Sequence, residues 1–165
     1  MANGDSRLQA LEDRIQALED QLAVYRVISS YGPAVDTGSS QKAAALWTED
    51  GVYEFDSYRL DGAGAVAGMV EGDTHQSLIR HGCAHVLAMP VVRVEGDRAF
   101  ATGYSRVYRH VDDRYEVWRV SANDWELART PAGWRVTRRT NHQLDGSEVA
   151  RQLLRSALDD SPTDR

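Results

Sequence analysis

The sequence predicts an α+β domain in which helices cover a long, strongly twisted antiparallel sheet that curls around a pocket. Three observations predict it. Helical spacing and capping residues dominate the first half of the chain. From Ala84 onward the hydrophobic period changes to two. The connections in that second half, Glu95-Gly96-Asp97, Val111-Asp112-Asp113 and Thr130-Pro131-Ala132-Gly133, are hairpin-type turns. Helices followed by an antiparallel meander define the class. A long, twisted sheet under helices curls around a space where ligands bind.

The first element is a helix. Leu8, Leu11, Ile15, Leu18, Leu22 and Tyr25 follow the 3-4-3-4-3 spacing of heptad a/d positions, with Glu12, Asp13, Arg14, Glu19 and Asp20 on the other faces. The spacing predicts a helix over about residues 6–31, disturbed at Gly32-Pro33 because proline lacks the amide proton and clashes with the preceding turn. The apolar stripe has two readings. It is a short coiled-coil seam to another subunit, or one face of a helix packed on its own domain. Beyond Leu22 the second is favoured.

Ser39 or Ser40 is placed to cap a second short helix, QKAAALW. Glu49-Asp50-Gly51 turns the chain into a strand, VYEF. LDGAGAVAGMVEG reads as a turn and a small helix, and Asp73-Thr74 starts a further helix, HQSLIRHG. Runs 84–95, 98–110, 114–129 and 133–145 then alternate and are rich in Val, Tyr, Trp and Thr. A closing helix over about residues 147–158 precedes a polar tail, 159–165, expected to be disordered. Residues 1–165 read as one domain with its core over about 8–147.

Composition excludes several functions. At 165 residues, 42% hydrophobic and 27% charged, the chain is an ordinary globular protein with enough length for a sizeable core. A net charge of −6 disfavours nucleic acid or an anionic membrane as the partner. No run approaches the ~18 apolar residues that span a bilayer. The opening MANGDSRLQALEDR is polar and lacks the apolar stretch of a signal peptide. Cys83 is the single cysteine, so no intrachain disulfide forms, and no Cys/His cluster has zinc spacing. A cytoplasmic protein without metal or cofactor is expected. Gly62-Ala-Gly64-Ala-Val-Ala-Gly68 imitates a dinucleotide fingerprint, but no βαβ unit surrounds it and no acidic residue lies about 20 positions on.

The candidate chemistry centres on Asp36 and His85. Asp36 ends VISSYGPAVDTGSS, and His85 opens HVLAMPVVRVEGDRAFATGYSRVYRH. A carboxylate that meets an imidazole orients it and supports its imidazolium form, which makes a general base. Each also has a plainer reading, Asp36 as a turn carboxylate and His85 as a satisfied core residue. Tyr31 either bonds a ligand oxygen or fills the core. His75 and His81 lie on a polar helix and are expected to face solvent. On the strands, alternation puts Phe100, Thr102, Tyr104, Arg106 and Tyr108 on one face, with small residues Ala99, Ala101, Gly103 and Ser105 on the other. It puts Trp134, Val136, Arg138, Thr140 and His142 together and Arg139 and Asn141 opposite. Asn123 is a candidate pocket hydrogen-bonder, His142 a candidate at the pocket mouth, and Trp47, Tyr53 and Tyr104 candidate core or pocket wall.

The order of these pieces is itself informative. A helix ending in Tyr31-x4-Asp36 precedes LWTEDGVYEF. Next comes a His at the head of a strand leading to VEGDRAFATGY, then SANDWELARTPAGWRV and RTNHQLDGS. This order resembles the SnoaL-like branch of the nuclear-transport-factor-2-like, or cystatin-like cone, superfamily. Relatives there include scytalone dehydratase, bile-acid 7α-dehydratase, hexachlorocyclohexane dehydrochlorinase, ketosteroid isomerase, limonene epoxide hydrolase and polyketide cyclases. The resemblance implies the cone fold and a homo-oligomer, dimer or trimer. The dehydratases and the dehydrochlorinase use an Asp from the end of the first helix and a His from the first long strand, and Asp36 and His85 match those positions. Tyr31 matches a tyrosine that several dehydratases use to polarise a substrate oxygen. Two relatives place an arginine on the last long strand, where either Arg139 or His142 could take the role. The superfamily also holds noncatalytic subunits.

The resemblance therefore implies a cofactor-independent lyase, a dehydratase or eliminase, acting on an apolar cyclic, steroid-like or polyketide-like small molecule. An isomerase or cyclase in the same pocket is the alternative, with Asp36 as base. A noncatalytic binding or scaffold subunit is the third reading.

Overall fold

A computed structural model describes residues 2–159 of the chain. Its elements follow in order: α1 (Ala2–Asp36), α2 (Ser40–Ala44), β1 (Trp47–Phe55), β2 (Tyr58–Asp61), α3 (Ala63–Glu71), α4 (Asp73–His81), β3 (Cys83–Leu87), β4 (Val91–Glu95), β5 (Arg98–Val111), β6 (Arg114–Thr130), β7 (Gly133–Gln143) and α5 (Glu148–Asp159). The predicted α+β class holds. The expected disordered tail lies outside the described residues, apart from Asp159, which ends α5.

The helix α1 is longer than its sequence spacing predicts and runs through Pro33 to Asp36. Only three residues follow the proline, so few backbone bonds are at stake. The segment is held by burial of Ile28, Tyr31 and Val35, at 2%, 4% and 0% exposure, which offsets the local penalty of proline. The helix stops at Gly38, whose φ of 65° suits a residue without Cβ. Lower on α1, both carboxylate oxygens of Asp20 accept from the Arg129 guanidinium at 2.7 Å, and Oδ1 also accepts from the indole of Trp134 at 3.1 Å. That cluster pins the helix to the narrow end of the sheet.

Seven strands form one sheet in the order β2-β1-β7-β6-β5-β3, with β4 also pairing to β5. All pairs are antiparallel except β1 with β7, which is parallel. Two features depart from the simple meander. The first expected run is two strands, β3 and β4, divided at Ala88-Met89-Pro90, because proline cannot donate to the ladder. A short strand, β2, folds back on β1 through Asp56-Ser57.

Two bulges set which residues face inward. On β6 the register slips at Trp118, and on β7 it slips at Thr137. An extra residue flips every side chain beyond it to the other face. Trp134 and Val136 are buried as alternation predicts, but beyond Thr137 the buried pair is Arg139 and Asn141. The small face of β5, with Ala99 and Ala101 fully covered, allows the helices to approach closely. No helix among the described residues is long and apolar enough to cross a membrane.

Candidate active site

The C-terminus of α1 and the start of β3 meet at Gly32. A Cβ there would lie 2.2 Å from the carbonyl oxygen of His85, so only glycine allows this approach. One helical turn on, Asp36 receives two hydrogen bonds from His85. Its Oδ2 accepts the backbone N–H at 2.7 Å, and its Oδ1 meets the ring Nδ1 at 2.6 Å. The Cys83 thiol also donates to Oδ1, at 3.6 Å. Burial alone would raise the Asp36 carboxyl, but the side-chain and backbone hydrogen bonds from His85 outweigh it and hold the group below the usual carboxylate range.

With Nδ1 engaged, the other ring nitrogen of His85 is Nε2, on a side chain that lines a cavity of about 160 Å³. Tyr31, Tyr53, Phe55, Leu87 and Val107 supply much of its wall. Burial pushes the Tyr31 phenol far above its ordinary value, so it is a neutral hydroxyl. His75 also lines the cavity. It is buried rather than solvent-facing, because α4 turns it inward to place Nε2 2.9 Å from the carbonyl of Val35, with its ring 5.5 Å from that of His85.

Arg139 is the residue that simple alternation puts on the wrong face. The bulge at Thr137 carries it inside, where it is 2% exposed. Its guanidinium carbon lies 4.5 Å, 4.6 Å and 4.2 Å from the ring centres of Tyr31, Tyr53 and Trp125. Those π faces, with Asn123, stand in for a counter-ion. Asn123 Oδ1 accepts from Nε at 3.0 Å and Nη2 at 2.6 Å, and also from Asn141 at 2.8 Å, while its amide donates to Ser105. The remaining nitrogen, Nη1, is buried without a hydrogen-bond partner. A buried N–H without a partner is costly, and Arg139 is among the residues that line the cavity.

The structure therefore brings together Asp36, His85, Tyr31 and Tyr53. Asn123 contributes from behind, through Arg139. Trp47 is buried beneath Tyr53 and Trp125 and does not line the cavity. Tyr104 and His142 lie outside it. Tyr104 shares the outer face of β5 and is 46% exposed. His142 is turned outward by the bulge at Thr137, with Nδ1 3.8 Å from Asp56. His75 is the residue that helix reading did not bring to the site, and Arg139 was reached only through the resemblance, since alternation set it opposite Trp134. The run His75-x2-Leu78, which puts a histidine on the apolar face of α4, is the one signal that could have found His75.

Asp36, Cys83 and His85 offer three donor atoms within 4.8 Å of one another. Burial and the neighbouring Asp36 push the Cys83 thiol up to about 11. Without a metal the thiol is protonated at neutral pH and donates to Asp36. The trio is built as a hydrogen-bond network around the imidazole.

The SnoaL-like domain matches residues 16–140, and the chain belongs to that family. A nuclear-transport-factor-2-like protein with a cystatin-like fold from Novosphingobium aromaticivorans is 44% identical, over 89% of this chain and 96% of that one, with a TM-score of 0.88. A hexachlorocyclohexane dehydrochlorinase from Novosphingobium barchaimii is 13% identical over 79% and 90% of the two chains, with a TM-score of 0.69. A protein of unknown function from Mycobacterium tuberculosis is 19% identical over 84% and 91%, with a TM-score of 0.68. The last two share the fold. No curated protein sequence matches significantly.

Proposed function

We propose that the protein is a cofactor-independent lyase of the dehydratase or eliminase type, with His85 as the base. The observation that carries this reading is the 2.6 Å contact between Asp36 and Nδ1 of His85, whose ring lines an apolar cavity. In the proposed step, Nε2 removes a proton from carbon next to a carbonyl. The electron pair forms a carbon–carbon double bond, and the C–O bond to the leaving hydroxyl breaks. That oxygen takes the proton from the imidazolium, directly or relayed through the Tyr31 hydroxyl, and departs as water, which leaves both side chains neutral. Asp36 fixes the tautomer and supports the imidazolium, as a triad carboxylate does. The Arg139 guanidinium beside the cavity favours the charge that develops on the carbonyl oxygen.

Size narrows the substrate. A cavity of about 150 Å³ holds a molecule of benzene's size, so the ~160 Å³ here accepts one ring. A larger substrate would extend into the adjoining space of about 690 Å³ lined by Leu78, His81, Arg109, His110 and Trp118. A panel of cyclic 3-hydroxyketones, followed by enone absorbance, tests the reading. Turnover lowered by about 10²–10⁴-fold in His85→Gln supports it. Turnover unchanged by His85→Gln removes it. An isomerase would instead return the proton elsewhere on the ring, giving a product of unchanged mass, and would suffer more from Asp36→Asn than from His85→Gln.

The protein is further proposed to work as a homo-oligomer through α1. Leu8, Leu11, Ile15, Leu18 and Leu22 are 46–60% exposed along one stripe. In heptad register Arg7 and Arg14 occupy g, and Glu12 and Glu19 occupy e. A parallel second copy pairs them as Arg7–Glu12 and Arg14–Glu19, whereas an antiparallel copy sets like charges together. A Leu8→Cys variant cross-links to itself under oxidation only if the two N-termini lie side by side. A monomer in sedimentation equilibrium contradicts the proposal.

A further inference from the structure

The cavity is cationic in a protein whose net charge is −6. Arg119 and Arg139 line it from the inner face, the exposed Arg106 borders it from the outer face of β5, and no aspartate or glutamate lines it. The adjoining space adds Arg109 and two histidines against a single carboxylate, Asp112. Among the described residues no carboxylate forms an ion pair with any of these four arginines. Elsewhere the chain pairs its arginines freely, as at Glu54, Asp20 and Glu148.

Arg119 stands out among them. Alternation along β6 puts Arg119 on the inner face, in line with the buried Ser121 and Asn123. Its Nε is buried without a partner. Its guanidinium stands near the rings of Phe55 and Trp118, at 6.0 Å and 5.8 Å, which orient it but supply no acceptor. Arg119 is four residues from Asn123 along the strand, about 13 Å at ~3.3 Å per residue. The cavity thus has one cation at the Asn123 level and a second farther along β6, near Phe55 and Trp118. Two cations without counter-ions in a shared apolar space call for an anion. Arginine's planar fork suits a carboxylate.

We propose that the substrate is a small cyclic carboxylic acid, docked with its carboxylate on Arg119 and its reacting carbons toward His85. This rests on the reading of the cavity as a substrate site and adds the substrate's charge. Arg106 and Arg109, at the rim, draw the anion in against the overall negative charge of the protein.

Titration of the full-length protein with cyclohexanecarboxylate and cyclohexanecarboxamide at pH 7 tests the proposal, because the two probes share a shape and differ in charge. The expected result is binding of the acid about tenfold tighter than the amide. That preference disappears in Arg119→Gln, persists in part in Arg119→Lys, and is untouched in His85→Gln. Equal binding of both probes by the wild type overturns the carboxylate assignment and leaves the proton-abstraction reading standing. A preference that survives Arg119→Gln also overturns it. Binding of neither probe overturns both the carboxylate assignment and the reading of the cavity as a substrate site.

Discussion

Gly32 and His85 touch backbone to backbone: a Cβ on Gly32 would stand 2.2 Å from the His85 carbonyl oxygen. This approach sets where β3 crosses α1, and therefore whether the Asp36 carboxylate reaches the imidazole. In Gly32→Ala, helix propensity favours alanine by about 1 kcal/mol, but a clash with backbone cannot be relieved by a rotamer change. The expected net effect is a loss of about 2 kcal/mol, with His85 moved off Asp36. Gly68→Ala in α3, where nothing lies within 4 Å, is the control and is expected to be neutral or stabilising. Urea denaturation of both variants checks the contrast.

Asp36 also ties stability to pH. Its carboxyl is held below the usual range in the folded protein, so the folded state favours the carboxylate. The contribution is complete above the unfolded value of about 3.9 and is lost as pH falls through the lower folded value. Asp36→Asn is therefore expected to cost about 2 kcal/mol at pH 7. The gap from wild type should close in acid. Denaturation at a series of pH values checks this, and a gap that widens toward low pH contradicts it.

Asn123 holds Arg139 with a neutral oxygen. Asn123→Asp supplies a carboxylate of the same shape. Stability is expected to be retained or raised, while affinity for an anion in the cavity drops about tenfold, because the cation is then neutralised within the protein. Asn123→Leu leaves Arg139 without that acceptor and is expected to cost about 3 kcal/mol. Thermal melts with and without cyclohexanecarboxylate separate the two effects.

Asp20→Ala leaves the Arg129 guanidinium and the Trp134 indole without their shared acceptor at the foot of α1. A loss of about 3 kcal/mol is expected, with no change in probe binding beyond that of folding. A small loss, under about 1 kcal/mol, would mean that the pair behaves as an ordinary surface ion pair.

Much of the fold is legible in the sequence because hydrophobic period tracks secondary structure. The change of period from Ala84 onward marks the strands, whereas the break at Pro90 inside the run 84–95 and the end of α1 at Asp36 were not read. The Asp36–His85 contact was reachable through the order of motifs, since neither residue's surroundings in sequence distinguish it from a turn carboxylate or a core histidine. Which faces Arg139 and His142 take was not legible. One residue, Thr137, exchanges their faces, and nothing in GWRVTRRTNHQ announces a bulge. Arg119, by contrast, alternates in step with Ser121, Asn123 and Trp125 and needs no bulge to face inward. Tyr104 follows a different rule. It alternates as expected, but the small face of β5, not the aromatic one, is turned inward.

The central claim is that His85, oriented by Asp36, removes a proton from carbon. Solvent-deuterium exchange into the ring positions next to the carbonyl of 4-oxocyclohexanecarboxylate, followed by NMR, tests it most directly. Exchange by the wild type about 10²–10⁴-fold faster than by His85→Gln, with Asp36→Asn in between, is the predicted result. Exchange no faster in the wild type than in His85→Gln contradicts it.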